Sequence, residues 1–236
     1  MAKKAKIDNV WKKRFERKEK KRPVNIRDQR VYFLIVCEGE KTEPNYFRVL
    51  EKELPIGTVE IKIEGTGLNT IGLLEHALKL IENSSRKHDR VWAVFDKDDF
   101  PDNNFNNAIH KGLSHNIKCA WTNEAFELWF LLHFHYVNTP MSRDDYKGYL
   151  EREIIKKSGI EDYKYKKNDP DTFFLLRDYG NQQKAINRAK KLMGEHTHGK
   201  YAKHNPSTRV HELIQELLDP KEVLKMINDE ENSNSR

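Results

Sequence analysis

Short apolar runs alternate with helical repeats along the first half of the chain. Four apolar runs predict strands, at residues 30–37 (RVYFLIVC), 59–63, 90–95 (RVWAVF) and 117–121. Helical spacing of apolar residues predicts helices between them, at residues 44–54, 70–81 and 103–115. Thr42 and Asn69 are the expected caps of the first two helices. Strands that alternate with helices predict a parallel α/β sheet, because parallel neighbours need crossover connections.

Strand patterns fade after residue 122. Aromatic-rich and amphipathic segments predict helices at 123–134 (NEAFELWFLLHF), 144–157, 182–193, 207–218 and 220–228. Residues 156–170 predict a loop that carries lysines and tyrosines. The expected fold class is therefore α/β, with a small parallel sheet, flanking helices and a helical C-terminal region. We divide the chain into a basic, disordered tail (1–25), an α/β domain (26–122) and a helical region (123–236).

Composition adds the expected compartment. The 236 residues are 37% hydrophobic and 34% charged, which is typical of a soluble protein. No stretch approaches the roughly 20 apolar residues that span a bilayer, and the basic N-terminus lacks the apolar segment of a secretory signal. Cys37 and Cys119 lie in apolar runs, so we expect packed thiols in a reducing cytoplasm rather than a disulfide.

The positive charge is concentrated in the tail. The net charge is +6, yet residues 1–22 alone hold eleven Lys or Arg against three acidic residues, which leaves the remainder slightly negative. A lysine-rich arm suits nucleic-acid phosphates, whose contacts are independent of sequence and sensitive to salt. The alternative is a solvated terminus, and the tail alone does not decide between them.

Carboxylates follow the first and the third predicted strand. Glu38 follows one, and Asp96 and Asp98 follow the other. Functional residues of open parallel sheets collect at the carboxyl ends of strands, above all where the strand order reverses. Neighbouring strands lie about 5 Å apart, so these acids would repel one another unless a cation lay between them. Oxygen ligands of this kind suit Mg²⁺ or Mn²⁺; the alternative is acids that cap helices or solvate turns.

Four stretches resemble the RloB proteins of bacterial restriction and phage-defence loci: EGEKTEPNYF at 38–47, FDKDD at 95–99, NEAFELWFLLHF at 123–134 and NPSTRVHELI at 205–214. That family is associated with the Toprim fold, a small parallel α/β unit shared by topoisomerases, primases and nucleases. The resemblance implies that Glu38, Asp96 and Asp98 are the catalytic metal ligands. It also implies a role in phage defence, together with an ATPase from the same locus that controls when the nuclease is active.

One position departs from the related nucleases, which carry a second acid four residues after the first Glu. Here that position is Thr42, and Glu43 follows it. We count Glu43 among the metal ligands, and leave open whether Glu40 takes that place. Glu127 lies on an apolar helix stripe, where burial of a carboxylate needs a partner; we expect it in the catalytic set, the alternative being the polar edge of the helix.

Lysines near these motifs are candidate nucleic-acid contacts. They are Lys41, Lys97, Lys164, Lys166 and Lys167. Tyrosines at 163 and 165 would add stacking to the phosphate contacts of the last three lysines. Lys41 and Lys97 could equally pair with their acidic neighbours.

The function expected from the sequence is a Mg²⁺- or Mn²⁺-dependent Toprim-type nuclease that hydrolyses DNA or RNA phosphodiesters in phage defence. One alternative is a non-catalytic nucleic-acid-binding component of a restriction complex. Another is a phosphotransfer enzyme that uses the same cation chemistry.

Overall fold

The structure is a computed structural model that describes residues 30–169, 171–197 and 199–234. The predicted basic tail at 1–25 therefore lies outside the described residues. The elements in chain order are β1 (Val31–Cys37), α1 (Thr42–Glu53), β2 (Val59–Gly65), α2 (Thr70–Glu82), β3 (Arg90–Asp96), α3 (Asp102–Ser114), β4 (Lys118–Asn123), α4 (Glu127–Leu132), α5 (Arg143–Ser158), α6 (Asp171–Tyr179), α7 (Gln182–Gly194), a 3-10 turn (Tyr201–Lys203), β5 (Ser207–Thr208), α8 (Val210–Leu218) and α9 (Pro220–Asn234).

Five strands form one sheet in the order β2-β1-β3-β4-β5. The first four are parallel, and β5 runs antiparallel to β4. The predicted α/β class with a mostly parallel sheet is confirmed. The chain moves from β1 outward to β2 and then returns to place β3 on the other side of β1, so the strand order reverses between β1 and β3.

The sheet is covered on both faces, as the continuous apolar runs predict. Along β1, Phe33 and Ile35 enter one hydrophobic cluster, whereas Leu34 and Val36 enter the other. This division follows from the strand itself, because successive side chains point to opposite faces. Cys37 and Cys119 are both buried and free, which confirms the packed thiols.

The two predicted helix caps differ in outcome. The Asn69 side chain accepts a hydrogen bond from the Gly72 amide at 2.9 Å, so the cap of α2 is confirmed. The Thr42 cap of α1 is wrong: Thr42 is the first helical residue, and its hydroxyl donates to the Lys167 carbonyl at 2.8 Å. The Thr42 hydroxyl therefore bonds to a distant loop instead of capping the start of α1.

The C-terminal region is helical, as predicted, with local differences. The predicted helix at 123–134 is helical only over α4, and α6 was not predicted. The predicted helix at 207–218 begins with the short strand β5, which pairs with Thr122 and Asn123.

One hydrophobic core crosses the proposed boundary at residue 122. It includes Phe47 of α1, Leu131 of α4 and Leu213 of α8. The division into an α/β and a helical unit stays a prediction. Among the described residues, no helix has both the length and the apolar character needed to cross a membrane.

Candidate active site

The ends of β1 and β3 meet where the strand order reverses. Cys37 pairs with Val94, and the Glu38 amide continues the ladder by donating to the Val94 carbonyl at 2.9 Å. The Glu38 carboxylate accepts a hydrogen bond from the Asp96 amide at 3.2 Å. The two acidic strand ends are therefore in direct contact.

A cavity of about 410 Å³ opens at this point. Its lining residues are Glu38, Gly39, Glu40, Lys41, Thr42, Glu43, Asp96, Asp98, Phe100, Phe126, Glu127, Arg143 and Lys167. The lining includes each acidic residue that the sequence proposed as a catalytic residue or metal ligand. Carboxylates therefore face a smaller set of cationic side chains across one opening.

Glu38 is held by two donors. Its Oε2 accepts from the Asp96 amide, and its Oε1 accepts from the Thr70 hydroxyl at 3.2 Å. Burial, with a smaller contribution from the charges of Glu43 and Asp98, raises the pKa of Glu38 to about 7, although the two hydrogen bonds act to lower it. At neutral pH this carboxyl is present in both the protonated and the ionised form.

The side chain of Glu43 is buried, whereas that of Glu40 is exposed. Glu43 is only 6% exposed, and its carboxylate fills the space that a side chain on Gly39 would need. Glu40 is exposed, and its carboxylate lies against Gly67, whose positive φ of 64° favours glycine. Burial and the charge of Glu127 raise the pKa of Glu43. This placement favours Glu43 over Glu40 as the second carboxylate of the site.

Asp96 has one carboxylate oxygen without a hydrogen-bond partner. Its Oδ2 accepts from the Phe126 amide at 3.1 Å, whereas its Oδ1 is buried and has no hydrogen-bond partner. Burial, together with the charges of Glu43 and Glu127, raises the pKa of Asp96 well above its ordinary value. A buried carboxylate oxygen without a donor is costly, and a cation is one partner that would remove the cost.

Glu127 opens α4 and is 2% exposed. Its Oε1 accepts from the Tyr165 hydroxyl at 3.0 Å. This bond and the Glu127 charge, together with burial, raise the pKa of Tyr165. Tyr165 is turned toward Glu127 and Tyr163 is buried, so neither ring is presented for the base stacking that the sequence suggested.

Arg143 is a cavity residue that the sequence reasoning missed. It is the first residue of α5, and its guanidinium contacts Asp96 Oδ2 at 3.4 Å and Asp98 Oδ2 at 2.9 Å. No local pattern marks it as a site residue, because its acidic partners, Asp96 and Asp98, lie far back in the chain. The predicted sheet gave no means of placing this helix beside the strand ends.

The five candidate lysines separate into two groups. Lys41 and Lys167 line the cavity and are exposed, and the Thr42 hydroxyl fixes the backbone of Lys167. The Lys97 ammonium instead donates to the Phe100 carbonyl at 2.5 Å and pairs with Asp102, so it closes its own loop.

Neither of the remaining two lysines lines the cavity. Lys164 pairs with Glu151 at 3.5 Å, and Lys166 is exposed. The structure therefore brings two of the five candidate lysines to the acids.

The carboxylates of the cavity are the right type of ligand for a hard divalent cation, but they do not converge on one point. All the candidate ligands are carboxylates, which suit Mg²⁺ or Mn²⁺, and Asp96 Oδ1 lacks a partner. With the side chains as they stand, however, no three Asp, Glu, His or Cys groups in the described ranges come close enough to enclose a metal ion. Arg143 already supplies positive charge to Asp96 and Asp98, so a cation there requires the guanidinium to move.

Comparison with known proteins gives one match. The model of the family described as RloB-like protein matches residues 33–217, a range that includes Glu38, Asp96, Glu127 and Arg143. Neither the curated proteins nor the solved structures contain a match to this chain.

Proposed function

The chain belongs to the RloB-like protein family, and from that premise we propose that it is a Toprim-type, metal-dependent nuclease that cleaves DNA or RNA in bacterial phage defence. The supporting observation is the contact between two acidic strand ends. Glu38 and Asp96 touch at the point where the strand order reverses, and Asp98 lines the same cavity. Parallel α/β sheets bind their ligands at that point.

The charges around the cavity match a phosphate and its counter-ion. Six carboxylates line the opening, together with Lys41, Lys167 and Arg143. A phosphodiester needs cationic contacts for its oxygens, and Mg²⁺ or Mn²⁺ needs oxygen ligands. Residues of both kinds line one cavity, which supports the proposal.

Glu38, Glu43, Asp96 and Asp98 are the residues that would hold the ion. Bound there, a divalent cation would supply Lewis-acid polarisation of a phosphate oxygen. Glu38 has a second possible role, because a carboxyl with a pKa of about 7 is suited to take a proton from water near neutral pH. In hydrolysis the water oxygen bonds to phosphorus, the bond to the leaving sugar oxygen breaks, and that oxygen gains a proton.

Asp96→Ala provides the direct test. We expect purified protein to cleave plasmid DNA or RNA with Mn²⁺ present, and D96A to lose at least 100-fold in rate, because Asp96 has the unpartnered oxygen of the site. Gel electrophoresis of end-labelled substrate measures the rate. Asp99→Ala is the matched control, since Asp99 is exposed and does not line the cavity.

A non-catalytic nucleic-acid-binding component is the second candidate. It is favoured by the lack of three converging ligands in the described ranges, and by the pairing of Arg143 with Asp96 and Asp98. Tight binding of nucleic acid that EDTA leaves unchanged, with no cleavage by wild-type protein in Mn²⁺ or Mg²⁺, would establish it.

The proposed setting is the bacterial cytoplasm, beside an ATPase from the same defence locus. A nuclease that cut without control would harm its host, so the proposal includes a partner that restricts cleavage. Co-purification of the two proteins from the native locus, and cleavage that depends on ATP, would test the partnership.

A further inference from the structure

Arg143 is incompletely paired where it lies. Its contact to Asp96 is a single one of 3.4 Å, and its contact to Asp98 is a separate one of 2.9 Å. Arginine that is fully paired with a carboxylate usually forms two parallel hydrogen bonds to one partner. The guanidinium instead bridges two carboxylates and forms a bidentate pair with neither.

Two hydrogen-bonding groups are left unmet at this contact. Arg143 Nε is buried without an acceptor, and Asp96 Oδ1 is buried without a donor. The two groups have opposite requirements: the nitrogen needs an anionic or carbonyl oxygen, and the carboxylate oxygen needs a proton donor or a cation. A divalent cation bound to a phosphate would supply both at once.

We propose that Arg143 is a catalytic residue that yields Asp96 and Asp98 to the divalent cation and binds a phosphate oxygen of the nucleic acid. This inference rests on the proposed nuclease function and adds the residue that links cation binding to substrate binding. Arg143 is 28% exposed in its side chain and lines the cavity, so the guanidinium reaches the opening without refolding of α5.

The proposal gives Arg143 opposite effects on two ligands. Because the guanidinium and the cation compete for the same carboxylates, removal of Arg143 strengthens cation binding. Because the guanidinium contacts phosphate, removal weakens substrate binding and slows cleavage. A residue that only supports the fold would weaken both, so the two measurements together separate the roles.

The experiment compares full-length wild type, R143A and R143Q. Mn²⁺ affinity is measured by electron paramagnetic resonance, and binding of a fluorescein-labelled 30-nucleotide DNA or RNA is measured by anisotropy in Ca²⁺. We expect R143A to bind Mn²⁺ about 5- to 10-fold more tightly, the lower end of a typical coupling between two sites, to bind the oligonucleotide more weakly and to cleave at least about 100-fold more slowly. R143Q should follow R143A in direction, and replaces it if the alanine variant does not fold.

Arg209→Ala is the matched control. Arg209 has nearly the same exposed fraction, 27%, and pairs with Glu212, but it does not line the cavity. R209A should therefore leave Mn²⁺ affinity and oligonucleotide binding unchanged.

The outcomes separate this inference from the proposed function. If wild type cleaves and D96A does not, but R143A leaves Mn²⁺ affinity unchanged or weaker, then competition between Arg143 and the cation is refuted. The proposed nuclease function is retained in that case. If R143A binds Mn²⁺ more tightly while no form cleaves, the competition stands and the nuclease fails. If wild type binds no measurable Mn²⁺, a gain of binding in R143A supports the competition, and its absence overturns it.

Discussion

At the scale of single residues, burial of the Glu38 carboxyl changes its protonation and, through it, the stability of the fold. Its contacts with the Asp96 amide and the Thr70 hydroxyl hold it at the end of β1, while burial opposes its ionisation. A group with a pKa raised to about 7 binds a proton more tightly in the folded protein than in the unfolded chain. The stabilisation that results is present below about pH 4.5 and is lost as the pH rises through 7.

Glu38→Gln should therefore stabilise the protein in EDTA at pH 8 and have less effect at pH 4.5. Gln remains neutral at both values, so the gain over wild type should grow between pH 4.5 and 7 to about 1–3 kcal/mol. Urea denaturation at the two pH values measures it. An equal effect at both would show that ionisation of Glu38 carries no cost.

Residue by residue, the sequence predicted the acids of the site and two of its three cationic residues, Lys41 and Lys167, but not Arg143. Glu38, Asp96 and Asp98 were predictable because they follow buried strands, and the end of a strand fixes where the next side chains lie. Arg143 was not, because its place depends on how α5 packs against the sheet. Lys97 is the opposite case: it stands between two acids of the site in sequence, yet its ammonium bonds to the carbonyls of its own loop and pairs with Asp102.

At the scale of elements, the loop between α5 and α6 is fastened to the site at two points. Thr42 of α1 donates to the Lys167 carbonyl, and Tyr165 donates to Glu127 of α4. The sequence predicted a loop there, but its lysines and tyrosines suggested an outward surface. Two hydrogen bonds fix one lysine at the opening and turn one tyrosine inward.

Tyr165→Phe should destabilise the protein by about 1–2 kcal/mol and reduce cleavage. The reason is that Glu127, which is 2% exposed, loses its hydroxyl donor inside the protein. Urea denaturation and the cleavage assay measure the two effects. Tyr179→Phe is the control, since Tyr179 is 40% exposed; equal behaviour of the two variants would contradict the role given to the hydroxyl.

Elements with a long pattern were predicted closely, and short ones were not. The strands β1 and β3 each differ from their predicted bounds by a single residue, because six buried positions out of seven leave little choice. The two residues of β5 are too few to show alternation, and the nine of α6 form a short helix beside a polar loop, although Asp169, whose carboxylate accepts from the Asp171 amide at 2.9 Å, is a typical cap residue. Both depend on contacts with distant segments, which local pattern does not contain.

At the scale of the whole molecule, the packing crosses the boundary at residue 122, which the loss of strand patterns suggested. Phe47 and Leu213 belong to one hydrophobic cluster although α1 and α8 lie in the two proposed units. Burial of that cluster stabilises both units together, because each supplies a surface that the other covers.

Leu213→Ala should therefore lower the stability of the entire described fold, by about 2–5 kcal/mol for a fully buried leucine. We expect a single unfolding transition, reported alike by tryptophan fluorescence and by circular dichroism. Leu218→Ala, at a leucine of the same helix that is 46% exposed, is the control. Two separate transitions, with only the later one shifted, would show that the units fold independently.

The site draws Glu38 and Asp96 from the early part of the chain, and Glu127 and Arg143 from beyond the last parallel strand. A ribosome exposes the first pair well before the second. For the proposed nuclease, a half-synthesised chain thus carries two acids without the arginine assigned to the phosphate, so cleavage would require translation to have passed Arg143.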